Sequence, residues 1–211
     1  MSGEILVIFW FGLALVMALA MGVYYCAQGP GTAKSVVKTT SVAALALLGL
    51  RLEVPGLVVA GLFLGALGDY FLSRPGERAF LAGMAAFAAG HLAYLLAFVE
   101  AGADLPPLFP ALILIALGLS TELWLAPRTG ALRLPVRGYV LIILAMALAA
   151  LGLSPALGLL KTGVLAFLAS DVILALEIFV LRDGLLRRIA KHLLWALYWS
   201  GQALILFGSV S

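Results

Sequence analysis

The chain has 211 residues, of which 64% are hydrophobic and 11% are charged, and its formal net charge is +3. Soluble domains are about 45–50% apolar and about 25% charged, so this composition excludes an ordinary soluble fold. The basic residues do not form the continuous run expected of a nucleic-acid binder, and the single cysteine excludes an intramolecular disulfide. At about 20 apolar residues per crossing, the chain has room for roughly seven to nine transmembrane helices.

Eight apolar segments predict an all-α membrane protein with eight transmembrane helices in one domain, residues 1–211. Clusters of Gly and Pro separate the segments, and such clusters belong at membrane surfaces because they leave backbone groups unpaired. The segments lack period-2 alternation, so strands are not expected. No Lys or Arg precedes the first segment, which favours a retained helix over a cleaved leader. The predicted helices span 4–25, 35–50, 55–72, 79–100, 106–124, 136–151, 155–181 and 186–208.

The Lys and Arg residues predict the orientation of these helices. Eight crossings bring nearly all basic residues to the loops after the first, third, fifth and seventh helices, whereas Arg51 and Lys161 lie toward the other side. Cytoplasmic loops carry the excess of Lys and Arg, so these loops are predicted to be cytoplasmic and both termini outside. The expected location is a bacterial-type cytoplasmic membrane.

Several ionisable side chains lie inside the predicted helices, where an ionised group costs roughly 2.5–3.5 kcal/mol on insertion scales. Asp69 and Asp171 are the strongest candidates for a functional site, because short carboxylates reach the membrane surface poorly. A rise of about 1.5 Å per residue places Asp69 about one turn inside the cytoplasmic surface and Asp171 roughly 15 Å from it. Other polar candidates in this region are Lys38, His91, Tyr94, Tyr198 and Gln202. Together they predict a polar cavity that opens to the cytoplasmic leaflet.

Helical spacing places these polar groups on faces that contact other helices. Tyr, Gln and His at such positions also join helices by hydrogen bonds without any catalytic role, so that interpretation stays open for each of them. Two further carboxylates near helix ends, Glu122 and Glu177, are expected either to reach the membrane surface or to form ion pairs with Arg128 and Arg182, respectively.

One ordered set of motifs runs through the predicted helices: Lys38, Gly68-Asp69-x-x-Leu72, Phe80-x-x-Gly83-x-x-x-Phe87-x-x-x-His91-x-x-Tyr94, Tyr139, Gly163-x-x-x-Phe167-x-x-Ser170-Asp171 and Tyr198-x-x-x-Gln202. This pattern resembles the YhhN-like membrane family, whose characterised animal members are lysoplasmalogenases. The resemblance covers nearly the whole chain. It implies an eight-helix membrane domain that hydrolyses the vinyl ether bond of a lysoplasmalogen, or of a related lysolipid, to a fatty aldehyde and glycerophospho-ethanolamine or -choline.

Two buried carboxylates suit that reaction. Protonation of a vinyl ether gives an oxocarbenium-like cation that water captures, and carboxylates in unlike environments can divide the acid and base roles, as they do in glycosidases. We predict that Asp171, the deeper and more desolvated group, is the acid. Asp69, at the depth of Lys38, is predicted to stay ionised and to act on water and the cation, although the two roles could be exchanged.

The remaining site residues are predicted to assist these two. The residues expected to position substrate and water are Lys38, His91, Tyr94, Tyr139, Ser170, Tyr198 and Gln202. The arginines predicted at the rim, either to attract the phosphate headgroup or only to fix topology, are Arg74, Arg78 and Arg137. The expected partner is a lysophospholipid in the membrane.

No cofactor, metal or nucleic acid is expected, and the sequence does not indicate an oligomeric state. Two histidines exclude a three-histidine zinc site. A competing interpretation is a proton-coupled transporter or flippase of a small lipid or metabolite, with the same carboxylates as a proton relay, and a third is a non-catalytic lipid sensor. The ionisable groups concentrate in one leaflet, which favours the enzyme, because alternating access favours a site near the midplane.

Overall fold

The computed structural model describes residues 3–210, and this part of the chain forms eight α-helices and no strand. The helices are α1 (Gly3–Ala20), which a π-helical turn (Met21–Tyr25) continues, α2 (Thr32–Arg51), α3 (Gly56–Leu72), α4 (Glu77–Glu100), α5 (Leu108–Trp124), α6 (Arg133–Leu151), α7 (Gly158–Phe179) and α8 (Leu185–Gly208). The eight predicted helices are confirmed, and their ends agree within three residues. The agreement follows from the Gly and Pro clusters, which end each helix where backbone groups need water or a turn.

Six helical segments are long and apolar enough to cross a membrane, as in an integral membrane protein: Gly3–Tyr25, Thr32–Arg51, Glu77–Glu100, Leu108–Arg128, Gly130–Leu151 and Pro155–Phe179. Helix α3 is apolar but has only 17 residues, and α8 carries Arg187, Arg188 and Lys191 in its first two turns. Length and composition therefore support six crossings, and crossings by α3 and α8 stay predictions.

Six of the helices form a ring. In the order α2, α3, α4, α6, α7 and α8, each helix packs against the next, and α8 returns to α2. The other two helices lie outside the ring, with α1 on α2 and α5 on α6. The ring brings the polar motifs of α2, α3, α4, α6, α7 and α8 toward one another, whereas α5 presents Leu119 and Leu123 outward, where they are largely exposed.

Helices α7 and α8 pack with their backbones almost in contact. A Cβ atom placed at Gly163 of α7 would lie 2.7 Å from the Ile205 nitrogen and 2.8 Å from the Gly201 carbonyl oxygen of α8. Backbone atoms cannot move aside as a flexible side chain can, so only glycine fits at this position. Small residues at helix crossings in membranes allow this close approach.

Gly163→Ala is expected to destabilise the protein by about 1–3 kcal/mol, because the added methyl group overpacks the contact between α7 and α8. Thermal unfolding of the purified protein in detergent measures the effect. The matched control is Gly12→Ala in α1, where a Cβ atom would have no neighbour within 4 Å. The control should unfold at or slightly above the wild-type temperature, since alanine is the better helix former. If both variants unfolded at the same temperature, the close packing of α7 and α8 would be contradicted.

Candidate functional site

The first polar cluster surrounds Asp171 and consists of His91 on α4, Tyr139 on α6 and Asp171 on α7; we call it the Asp171 cluster. The Tyr139 hydroxyl donates to Asp171 Oδ2 at 2.5 Å. His91 Nε2 lies 2.9 Å from the Tyr139 hydroxyl and 3.3 Å from Asp171 Oδ2. His91 is fully buried, and its Nδ1 has no hydrogen-bond partner among the described residues. Three helices of the ring therefore meet at one carboxyl group.

The second polar cluster consists of Lys38 on α2, Asp69 on α3 and Tyr198 on α8; we call it the Asp69 cluster. Lys38 Nζ lies 2.9 Å from Asp69 Oδ1, and the Tyr198 hydroxyl donates to Asp69 Oδ2 at 2.8 Å. The Asp69 side chain is fully buried, and a buried carboxylate needs such partners because its ionised form is otherwise very costly. This cluster is a charged link between α2, α3 and α8.

A neighbouring hydrogen bond joins α4 to α8 beside the Asp69 cluster. The Tyr94 hydroxyl donates to Gln202 Oε1 at 2.5 Å, and both side chains are fully buried. Gly65 of α3 makes room for the α8 side chains, since a Cβ atom there would lie 2.6 Å from Gln202 Nε2 and 3.3 Å from the Tyr198 hydroxyl. Tyr94 and Gln202 therefore act first as a polar contact between helices.

Two phenyl rings separate the Asp171 cluster from the Asp69 cluster. The Phe167 ring centroid lies 4.7 Å from that of His91 and 5.3 Å from that of Tyr198, so Phe167 contacts one member of each cluster. The Phe87 ring packs edge-on against Tyr198, with centroids 5.7 Å apart, and against Phe167. Phe87 and Phe167 form an apolar layer between the two carboxyl groups.

A cavity of about 100 Å³ lies between α4, α5, α6 and α7. Its lining is aliphatic and aromatic, with residues such as Met84, Leu117, Val140, Leu144, Val172 and Ala175. The lining side chains that carry nitrogen or oxygen atoms are Thr121, Trp124, Tyr139 and Asp171. Asp171 therefore borders a largely apolar space, whereas Asp69 does not belong to this lining.

Two expectations about the carboxyl groups are wrong. The sequence predicts one polar cavity shared by both, but the cavity is largely apolar and only Asp171 lines it. The sequence also predicts that Asp171 is the more desolvated group, but its side chain is 12% exposed while that of Asp69 is fully buried. Depth along a helix does not determine burial: Asp171 borders a void, whereas ring helices enclose Asp69 on several sides.

Ser170 and the predicted rim arginines do not belong to either polar cluster. The Ser170 hydroxyl donates to the Phe167 carbonyl of its own helix at 2.6 Å, which leaves it facing the helix packing. Arg74 lies over the Tyr70 ring, 4.7 Å from the centroid, and Arg137 forms a bidentate ion pair with Glu122. None of the predicted rim arginines, Arg74, Arg78 and Arg137, belongs to the cavity lining.

The expected partners of two carboxylates are also wrong. Glu122 pairs with Arg137 rather than Arg128, and Glu177 pairs with Arg187, at 2.7 Å, rather than Arg182. In both pairs the arginine belongs to the first two turns of the next helix. Because that helix returns alongside the carboxylate, it offers a better-placed partner than the loop residue nearer in sequence.

No group of three or more His, Cys, Asp or Glu side chains that could hold a metal ion occurs within residues 3–210. The arrangement offers instead a carboxyl group with a phenol and an imidazole beside it, at the wall of an apolar cavity. Such a site can exchange protons with an apolar ligand.

A family model described as the YhhN family matches residues 33–209. The matched range includes both polar clusters and every predicted site residue. Neither the curated proteins nor the solved structures that were compared contain a match to this chain.

Proposed function

Because the chain belongs to the YhhN family, we propose that it is a membrane hydrolase that cleaves the vinyl ether bond of a lysoplasmalogen or a related lysolipid. The products would be a fatty aldehyde and glycerophospho-ethanolamine or -choline. The observation that carries this proposal is the position of Asp171 in the wall of a largely apolar cavity. Such a cavity can hold the first methylene groups of a hydrocarbon chain, with an acid next to the bond where the chain meets its headgroup.

The reaction requires one proton donor and one water molecule. The π electrons of the vinyl ether take a proton at the β-carbon, and an oxygen lone pair stabilises the α-carbon as an oxocarbenium-like cation. Water adds to the α-carbon and loses a proton, which gives a hemiacetal. The hemiacetal collapses to the aldehyde and releases the glycerol hydroxyl group. The proton taken from the acid is returned, so the net change is the consumption of one water.

In this mechanism Asp171 is the acid. Its contacts with Tyr139 and His91 both use Oδ2, which leaves Oδ1 to give a proton to the substrate. Tyr139 orients the carboxyl group. His91 contacts both partners through Nε2, which leaves Nδ1 as the nitrogen that accepts the proton that the attacking water loses. After proton transfer, the Asp171 carboxylate lies beside the cation and stabilises it, an effect that is strong where bulk water is excluded.

We assign the Asp69 cluster a positioning role in place of direct action on water. Lys38 and Asp69 hold the Tyr198 hydroxyl, and the Tyr198 ring packs against Phe87 and Phe167. Phe87 also lines the cavity, so the Asp69 cluster fixes part of the cavity wall from behind. Tyr94, Gln202 and Ser170 support the same wall through contacts between and within helices.

The proposal includes a membrane orientation. All eight helices would cross, with the basic loops cytoplasmic and both termini outside, in agreement with the positive-inside rule. The cavity extends toward the end of the bundle where α4 begins and α7 ends, because Phe80 and Phe179 belong to its lining. A lysolipid would then bind from the cytoplasmic leaflet.

Aldehyde release tests the proposed function. Purified protein in detergent should release free aldehyde from lysoplasmenylethanolamine and not from the matched lysolipid with a saturated ether, which has no double bond to protonate. Vesicles that contain the protein should show the same cleavage. Uptake or flipping of the intact vinyl ether lipid, without aldehyde, would contradict the hydrolase and support a transporter.

A further inference from the structure

A shallow recess lies at the end of the cavity nearest the basic loops. It has a volume of about 350 Å³ and is lined by Gly76, Glu77, Phe80, Ala131, Leu132, Ile178 and Phe179. Phe80, Ile178 and Phe179 also line the cavity, so the recess lies directly beside it. A ligand whose chain occupies the cavity would therefore place its polar end in or near this recess.

The charged side chain of the recess is a carboxylate, although basic residues surround this end of the bundle. The other carboxylates at this end have partners: Asp69 with Lys38, Asp171 with Tyr139 and His91, Glu122 with Arg137, and Glu177 and Asp183 with Arg187. Glu77 is absent from every ion pair found among residues 3–210. An exposed acid without a partner, in a predominantly basic region, is suited to a cationic ligand.

Two aromatic rings line the recess together with this carboxylate. Phe80 lies one helical turn after Glu77 on the same face of α4, and its ring packs edge-on against Phe179 of α7, with centroids 6.4 Å apart. Aromatic rings beside a carboxylate attract ammonium groups, and quaternary ammonium groups in particular, because the ring faces carry negative potential.

We propose that Glu77, Phe80 and Phe179 form a subsite for the amine of a lipid headgroup, such as ethanolamine or choline. This proposal deepens the proposed function and rests on it. The distance between the acid and the subsite agrees with this proposal, since Asp171 and Phe179 are eight residues apart and therefore about 12 Å apart along α7. That distance is comparable with the length of an extended glycerophospho-amine. The subsite selects lysolipids with a cationic headgroup, and it differs from the arginine rim predicted from the sequence, whose members do not line the recess.

Binding of non-cleavable lysolipids tests the subsite independently of catalysis. The ligands are saturated-ether lysolipids with choline, with ethanolamine, or with a phosphate that carries no amine, and equilibrium binding is measured by thermophoresis of the purified protein in detergent. Glu77→Gln should weaken binding of the choline and ethanolamine ligands about three- to tenfold and leave the amine-free ligand unchanged or slightly tighter. Phe179→Leu should weaken choline binding in the same selective way.

The matched control is Glu100→Gln, since Glu77 and Glu100 are the first and last residues of α4 and both are exposed. The control should bind all three ligands as the wild type does. Glu77 also stabilises the helix N-terminus, so the unfolding temperature of each variant is measured alongside. Equal binding of amine and amine-free ligands by the wild type, or an equal loss of both in folded Glu77→Gln, would overturn the subsite even if vinyl ether cleavage is observed.

Discussion

Asp171→Asn is expected to lower the rate of aldehyde release about 10²–10⁴-fold, the usual contribution of a general acid, while the protein stays folded. An amide has the shape of the carboxyl group, and its oxygen can still accept a hydrogen bond from the Tyr139 hydroxyl. It cannot, however, give a proton to carbon. Because the Asp171 side chain borders a cavity and is 12% exposed, its neutral replacement should disturb packing little. The kcat for a vinyl ether lysolipid, together with the unfolding temperature, provides the measurement.

The control for this variant is Asp104→Asn. Asp104 is exposed in the connection between α4 and α5, at the end of the bundle away from the recess. The kcat of the Asp104→Asn variant should equal that of the wild type. If folded Asp171→Asn turned over at the wild-type rate, Asp171 would not be the acid and the mechanism would fail, whereas binding of lysolipids in the cavity would stand.

Lys38→Met and Asp69→Asn are each expected to destabilise the protein by about 3–5 kcal/mol, as removal of one partner from a buried ion pair does. Lys38→Met leaves the fully buried Asp69 without its cation, and Asp69→Asn leaves the mostly buried ammonium of Lys38 without its anion. Unfolding in detergent measures the loss. Arg137→Met breaks an exposed ion pair and should cost much less, because water already screens that pair.

The double variant Lys38→Met with Asp69→Asn separates stability from catalysis. It has no unpaired charge at this site, and the introduced amide oxygen can still accept a hydrogen bond from the Tyr198 hydroxyl. Most of the stability lost in the single variants should therefore return. Under the positioning role proposed for the Asp69 cluster, most of the activity should return with it. A double variant that is stable but inactive would show that Asp69 acts in the chemistry itself, which is the role predicted from the sequence.

The sequence predicts the helices of this protein far better than their lateral arrangement. Helix ends are set locally by Gly and Pro clusters, and apolar length sets the crossings. Which face of each helix meets which neighbour depends on the packing of the whole ring. Asp69 and Asp171 belong to the same half of the predicted membrane, yet they point to opposite sides of Phe87 and Phe167. Depth can be counted in residues, whereas this lateral separation cannot.

The candidate site shows the same division. Helical spacing places His91 on an inward-facing stripe and Asp171 beside another, and the structure joins both to Tyr139, which only the family pattern singles out. The apolar lining carries no comparable signal, because Leu, Val and Ile face lipid and cavity alike. Thr121, which lines the cavity, and Glu77, which lines the recess, stand near helix ends where polar residues are common. Only their neighbours in space distinguish them.

The position of α5 outside the ring has a consequence for how this protein can change over time. Helix α5 supplies one wall of the cavity and packs mainly against α6, so it holds few of the contacts that join the ring helices. Substitutions such as those at Leu117 or Gly118 can reshape the space for a hydrocarbon chain without disturbing the two polar clusters. Under the proposed function, selectivity for the length of the hydrocarbon chain can therefore diverge among descendants while the Asp171 cluster stays intact.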